Sequence, residues 1–354
     1  MKEEINVGAL LDMMTHPAFS VSGGIVAHCN QSARQLLIQP GMPISDIVVT
    51  CAPEYAEFRS GCLYLTLDMA DQSVGATVCR IADYDVFVTE STEDQISLQA
   101  MALSALQLRQ PLSDISSYLN HLAPLKDLNP QAENALHQIS HRLICLQRLV
   151  SNMSDASRFH QERKSQISCL DISDLFRDLT QRISALTDTA GIHLEYQGPA
   201  EKLYAMIDVE KVERAVYNMV SNAMKACSQG ATLRAKLTAR GQKACFSLTD
   251  PGEGVDKTVF NSVYSRFLRT PGLERSQDGL GLGLALIRST AIVHGGTVLI
   301  DRPAGGGTRV TMTIALRQNE DSLLRSGILR PDYTGERDHG LFELADVLSP
   351  ELFG

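Results

Sequence analysis

The chain has 354 residues, of which 44% are apolar and 21% charged, with no tryptophan; that is ordinary soluble globular composition and room for two or three domains, each with its own core. Lys plus Arg number 32 against 41 Asp plus Glu, a net charge of -9, which argues against the chain itself gripping nucleic acid, because phosphate neutralisation needs a basic surface. The eight cysteines form no CxxC pair and no zinc-like spacing, the pattern of thiols in a reducing cytosol rather than a disulfide framework. "MKEEINVGALLDMM" lacks the basic start and apolar centre of a signal peptide. No run of about eighteen apolar residues predicts a membrane span, so the expected location is cytoplasmic.

Residues 1–90 mix short helical and strand signals. "GCLYLTLDMA" and "GATVCRIADYDVFVTE" carry β-branched and aromatic residues in strand-like runs, and "GGIVAHCNQSARQLL" predicts a strand followed by a short helix beginning near Asn30. A small mixed α/β domain is the expectation. From residue 91 to 164 the period changes. Leu98, Met101, Ala105, Leu108, Leu112, Ile115, Leu119 and Leu122 alternate threes and fours, an a/d seam on one helix. Pro124 and Pro130 punctuate a loop, and the seam resumes at Ala132, Leu136, Ile139, Leu143, Leu146, Val150 and Met153. Two long antiparallel helices follow. A hairpin alone cannot bury a full seam, so pairing of two chains into a four-helix bundle is the natural solution; an intrachain hairpin packed on its neighbours is the alternative.

Residues 165–317 alternate helical and strand segments. The helix "EKVERAVYNMVSNAMKAC" precedes the strand-like "ATLRAKLTAR" and "KACFSLTD", and after a Gly-rich stretch and another helix come "GTVLID" and "GTRVTMTIAL". This order predicts an α/β sandwich on a largely antiparallel sheet rather than a repeated βαβ unit. In the remainder, 318–354, Leu341, Leu344, Ala345 and Leu348 fall on one helical face, which predicts a short amphipathic helix that packs on the chain's own domains or docks a partner.

Three constellations in residues 165–317 belong together. Asn218, Asn222 and Lys225 stand at i, i+4 and i+7 on one helix and share a face. Amide oxygens suit Mg²⁺, a hard cation that takes oxygen ligands, and a lysine suits a phosphate. "DPGEG" places Asp250 at a strand end, where a carboxylate could accept a hydrogen bond from an adenine amine, and Gly252 and Gly254 permit a tight turn and close backbone approach. "DGLGLGLAL" puts Gly279, Gly281 and Gly283 at a helix start, where backbone N–H groups and the helix dipole favour phosphate. A dinucleotide fingerprint is excluded by the GxGxG spacing and by the polar "LERSQD" where a strand should precede it.

At these residues the chain resembles the ATP-binding domain of sensor histidine kinases, within the wider group that includes gyrase, Hsp90 and MutL. "NMVSNAMKA" is similar to the family's N box, "DPGEG" to its first glycine box and "DGLGLGLAL" to its second. "VYSRFLRT" resembles the F box of a mobile lid, which would run over 255–278 and contain Arg266, Phe267 and Arg269. "GGGTRV" resembles the last strand motif, with Thr308 helping to hold the adenine through water. The resemblance implies a Bergerat-type α/β sandwich that binds ATP and Mg²⁺, with Asn222 on the metal, Asn218 and Lys225 on the phosphates and Asp250 reading the adenine. "RLICLQRLVSNMSDASRF" looks like the second helix of the family's dimerisation and phosphotransfer hairpin, including its Asp155–Arg158 ending, and "GIVAHCNQSARQLL" is similar to a PAS sensor's strand and Asn-led helix. The expectation is an α+β multidomain chain: a PAS-like domain (1–90), the helical hairpin (91–164), the ATP-binding domain (165–317) and a C-terminal tail (318–354). A homodimer through the hairpin is implied, with a response regulator or another kinase as partner.

One motif departs from the family. Aligning Leu108, Arg109, Pro111 and Leu112 of "LQLRQPLSDI" with the H box puts Leu106 where the phosphoacceptor histidine should be and Gln107 where its acidic neighbour should be. Leucine has no nucleophilic atom, and glutamine is no base for an imidazole proton. Autophosphorylation at that position is excluded, so kinase activity stands on resemblance alone. Three readings stay open: transfer to another histidine (His121, His137 or His141), an ATP-regulated scaffold, or a phosphatase of a response regulator in which Gln110, one turn on, positions the attacking water. His137, His141 and Cys145 also share a face at metal-ligand spacing, without a fourth ligand.

Overall fold

The computed structural model describes residues 7–69, 73–81, 83–90, 92–122, 129–156, 167–254, 282–317 and 339–353. The first unit begins with α1 (Val7–Asp12), β1 (Ala18–Ser22) and β2 (Ile25–Cys29). Asn30 then caps α2 (Gln31–Gln35). Its Oδ1 accepts from the Ala33 N–H at 2.9 Å and the Ala18 N–H at 3.1 Å, and its Nδ2 donates to the His16 carbonyl at 2.7 Å. The Asn-led helix of the sequence is thus a cap that also ties β1 in place. After α3 (Ala52–Glu57), strands β3 (Cys62–Asp68), β4 (Ser73–Ile81) and β5 (Tyr84–Thr89) complete a five-stranded array in the order β2-β1-β5-β4-β3. Every neighbouring pair in it is antiparallel. Phe19 and Phe87 stack with ring centroids 4.6 Å apart at the centre of its core.

The predicted hairpin is present as α4 (Thr92–Leu122) and α5 (Pro130–Ala156), which pack on each other. The seam is only partly covered. Ala105, Leu143 and Val150 are buried, whereas Leu108, Ile115, Leu122, Ile139 and Leu146 stay 45–52% exposed. One hairpin cannot enclose all the apolar positions its own heptads create.

The third unit contains β6 (Ile167–Asp171), α6 (Ile172–Thr189), β7 (His193–Gln197), β8 (Tyr204–Asp208) and α7 (Val209–Lys225). It continues with β9 (Thr232–Arg240), β10 (Lys243–Asp250), α8 (Leu282–Val293), β11 (Val298–Asp301) and β12 (Thr308–Ala315). Both large helices are amphipathic and begin at an aspartate cap: Asp171 accepts from the Ser173 N–H, and Asp208 from the Lys211 N–H. Their apolar faces bury Leu175, Phe176, Leu179, Val216 and Val220 against Leu233, Phe246 and Leu248 of the sheet, with Phe176 stacked on Phe246 at 4.5 Å. The strand order is β11-β12-β10-β9-β7. The pairs β11–β12, β12–β10 and β10–β9 are antiparallel, while β7 joins β9 in parallel.

A feature with no sequence signature joins the first and third units. The edge strands β3 and β11 pair antiparallel, with Cys62 opposite Ile300 and Tyr64 opposite Val298, so the two arrays form one ten-stranded sheet. Gly61 makes the junction possible: its φ is +95°, and a Cβ there would lie 2.2 Å from the Ile300 carbonyl oxygen. Tyr64 belongs to both sides, since its Oη donates to Glu90 at 2.7 Å while Arg288 of α8 lies 4.8 Å over its ring. The tail helix α9 (His339–Glu343) and the turns after it lie against α5, α6 and α7, and Leu344, Ala345 and Leu348 join the main core. Among the described residues no helix is long and apolar enough to cross a membrane.

Candidate functional site

The face of α7 carrying Asn218, Asn222 and Lys225 meets three other elements. The first is the start of α8. A Cβ on Gly283 would stand 3.0 Å from Asn218 Oδ1 and 3.7 Å from Asn222 Nδ2, so glycine lets this helix approach both amides. Asn218 is buried, and its Nδ2 donates to the Arg214 carbonyl at 2.8 Å; Asn222 and Lys225 are exposed beside it. The far end of α8 is fixed by His294. Its Nε2 accepts the Asp208 N–H at 2.9 Å and its Nδ1 donates to the Thr290 carbonyl at 2.6 Å, which defines a neutral ring; burial holds its pKa below the usual 6.5.

The second is the end of β10. Asp250 pairs with Thr308 across β10–β12. Its Oδ1 accepts from the Gly252 N–H at 2.9 Å and the Thr308 N–H at 3.3 Å. Burial pushes this carboxyl above the ordinary carboxylate range, and the two backbone donors pull it part of the way back. A carboxylate has more acceptor lone pairs than these bonds use. The glycines around it are sterically required. A Cβ on Gly252 would lie 2.6 Å from the Ala226 carbonyl oxygen and 2.9 Å from Asp250 Oδ1; one on Gly254, at φ +83°, would lie 2.8 Å from the Gly307 carbonyl oxygen. The "DPGEG" turn therefore packs on the end of α7 directly after Lys225.

The third neighbour, which motif reading missed, is a cluster of charged residues between α5, α7 and the tail. Arg214, one turn before Asn218, pairs with Asp155 of α5 and with Glu343 at 3.0 Å, and it donates to Asn152 at 2.9 Å. Its proton is held above the ordinary arginine value, Glu343 and Asp155 outweighing the opposing effect of burial. Arg148 of α5 reaches Asp346, Glu343 at 3.5 Å and Asn218 Oδ1 at 3.5 Å. The spacing of Arg214, Asn218, Ser221 and Lys225 along α7 carried a signal for part of this cluster, because an i, i+4, i+7, i+11 series extends the motif's face by one turn.

The structure thus brings Asn218, Asn222, Lys225, Asp250, Gly252, Gly254, Gly283 and Thr308 onto adjoining elements. Arg266, Phe267, Arg269, Gly279 and Gly281, and the whole span 255–278, lie outside the described residues, as does Arg158. The donor set suits a magnesium nucleotide. It offers amide oxygens and a lysine on one face, a buried carboxylate at a strand end, and backbone that only glycine permits between them.

On the hairpin, Leu106 is 47% exposed and Gln107 is exposed beside it. Gln110 is exposed and its Nε2 donates to Asp114 Oδ1 at 2.9 Å. His121 is exposed and His137 half-buried, whereas His141 is buried and its Nε2 donates to the Ala345 carbonyl at 2.6 Å. Cys145 Sγ lies 3.7 Å from that same nitrogen. No group of three or more His, Cys, Asp or Glu is gathered to hold a metal among the described residues, so the His137, His141 and Cys145 spacing does not assemble a ligand set there.

Known proteins resemble this chain over the same region. Residues 207–318 match the family described as histidine kinase-, DNA gyrase B- and HSP90-like ATPase. The chain is 28% identical over 247 residues to the sensor histidine kinase WalK of Bacillus subtilis, covering 67% of this chain and 39% of that protein. It is 26% identical over 359 residues to the histidine protein kinase DivJ of Caulobacter vibrioides, covering 88% and 58%. The chain therefore spans less than two thirds of these relatives. A crystal structure of full-length ShkA in complex with AMPPNP superposes at a TM-score of 0.51 with 20% identity, over 62% of this chain and 46% of that one, a likeness of fold.

Proposed function

We propose that this chain, a relative of the two-component sensor histidine kinases with their type of ATP-binding domain over residues 207–318, binds Mg-ATP on the α7 face without phosphorylating its own hairpin at the usual place. The single observation that carries this is the junction of the α7 amides and lysine with the Asp250–Gly252–Thr308 turn, built through glycines whose Cβ atoms would collide with their neighbours. Asn222 would take Mg²⁺, Asn218 and Lys225 the phosphates, and Asp250 the adenine amine. Gly283 lets the first turn of α8 come close to those amides, and the start of a helix favours anions. Magnesium, when bound, neutralises phosphate charge; the chain's own residues position the nucleotide and shield one end of it.

Leu106 and Gln107 remove both nucleophile and base from the hairpin position. With that position closed, the reading favoured over transfer to His121, His137 or His141 is a nucleotide-dependent change of contact with a partner, or work on a partner's phosphoryl group. Exposed Gln110 supports the second reading, as an amide able to orient water toward a phosphorylated response regulator. The exposed part of the seam supports a homodimer through the hairpin. The five-stranded antiparallel array at residues 18–89 supports a PAS-like sensor unit, and the absence of any membrane-length apolar helix among the described residues supports a cytoplasmic protein.

Isothermal titration of the full chain with Mg-ATP tests the site. Saturable binding is expected in the natural chain, with at least about tenfold weaker binding in Asn222→Ala and in Asp250→Asn, on the scale of a lost charge-assisted contact. Equal affinity in all three would remove the assignment.

A further inference from the structure

The C-terminal segment 339–353 does more than cover apolar surface. Leu344 and Ala345 are fully buried and Leu348 and Phe353 nearly so, in the same core as Ile144 of α5 and Val216 and Val220 of α7. His141 donates to the Ala345 carbonyl at 2.6 Å, and the Phe353 ring sits 5.0 Å from the His141 ring. Glu343, 1% exposed, lies between Arg214 and Arg148. These contacts anchor the segment.

Asp346 is placed differently. Its carboxylate pairs with Lys225, pairs with Arg148, and accepts from Ser221 Oγ at 3.1 and 3.2 Å. Burial alone would raise its pKa, but Arg148, Lys225 and Ser221 more than offset that and keep it ionised below the ordinary aspartate range. Two of its three partners lie on α7, on the face read above as the phosphate side, and the third also reaches Asn218. An anion already sits on the lysine that a nucleotide's phosphates would use, and the two negative groups cannot share it without strong repulsion.

We propose that the C-terminal segment is a tethered competitor for the phosphate end of the nucleotide site, with Asp346 standing on Lys225 in place of a phosphate. The proposal rests on the ATP-binding reading. It makes tail docking and nucleotide binding reciprocal: each weakens the other by the same factor. If the tail is docked about nine-tenths of the time, the apparent affinity of the nucleotide is lowered about tenfold. The apolar anchor places the carboxylate at a high local concentration, so the competitor needs no external ligand.

The test is titration of full-length chain, Asp346→Asn and Asn222→Ala with the magnesium complex of a non-hydrolysable ATP analogue. D346N keeps the apolar anchor and the shape of the side chain while removing its charge. About tenfold tighter binding by D346N, with N222A at least about tenfold weaker than the natural chain, is the expected result. Equal or weaker binding by D346N, with N222A still defective, would overturn the competitor and leave the ATP site standing. Absence of binding in both the natural chain and D346N would overturn the ATP reading and the competitor together. A second measurement guards against a misfolded variant: hydrogen exchange of residues 339–353 in the natural chain. Saturating analogue is expected to speed that exchange; unchanged exchange despite bound analogue would overturn the proposal.

Discussion

At the scale of single residues, the site depends as much on missing side chains as on present ones. Gly252 has the Ala226 carbonyl 2.6 Å and Asp250 Oδ1 2.9 Å from where a Cβ would be. Gly252→Ala must move the turn away from the end of α7 and pull the Gly252 N–H off Asp250. The expected outcome is a loss of about 1–3 kcal/mol in stability, the usual cost of overpacking, together with weaker Mg-ATP binding. Chemical denaturation and titration on the same preparation would check both. That Asn218, Asn222 and Lys225 share a face of one helix, and that Gly252 turns beside Asp250, was legible in the sequence because helical spacing and a Gly-rich turn impose a local pattern. Asp346 was not. Its partner Lys225 is 121 positions away, and nothing in an isolated aspartate announces which lysine it will meet.

At the scale of elements, the sequence pattern located the strands and long helices well. "KACFSLTD" is β10, and "EKVERAVYNMVSNAMKAC" covers α7 from its second residue onward. "GATVCRIADYDVFVTE" resolves into parts of β4 and all of β5. The β3–β11 junction escaped because edge-to-edge pairing uses backbone groups that every residue has. Helix α8 offers a test of how elements are tied together. His294 links its C-terminal end to the start of α7 as a neutral ring with a pKa below 6.5. The unfolded chain then takes up this proton at a higher pH than the folded one, so the contribution is fully present above about pH 6.5 and is lost as the pH falls through the folded value. Thermal melts between pH 7 and pH 5 are expected to fall more steeply for the natural chain than for His294→Gln, whose amide oxygen can still accept the Asp208 N–H. Parallel pH profiles would contradict this role.

At the scale of the whole molecule, the described parts of the chain meet through shared strands and charged groups. One sheet runs from the N-terminal array into the ATP-binding domain, and one charge cluster joins hairpin, α7 and tail. β3 pairs with β11, and its Tyr64 ring lies 4.8 Å from Arg288 of the helix that begins beside Asn218. The sequence disclosed the order of these units but not their contact, because its local periodicities end where each element does. On the proposed reading Leu106 stands where the phosphoacceptor histidine of a sensor kinase would be, and one measurement addresses it together with the proposed nucleotide site. The natural chain is incubated with γ-labelled Mg-ATP, and retained nucleotide, free phosphate and the acid stability of any protein-bound label are followed. The expected result is nucleotide retained on the protein and displaced by unlabelled ATP, with no acid-labile label on the peptide containing Leu106. A chain that retains no nucleotide at millimolar concentration would contradict the account at its centre.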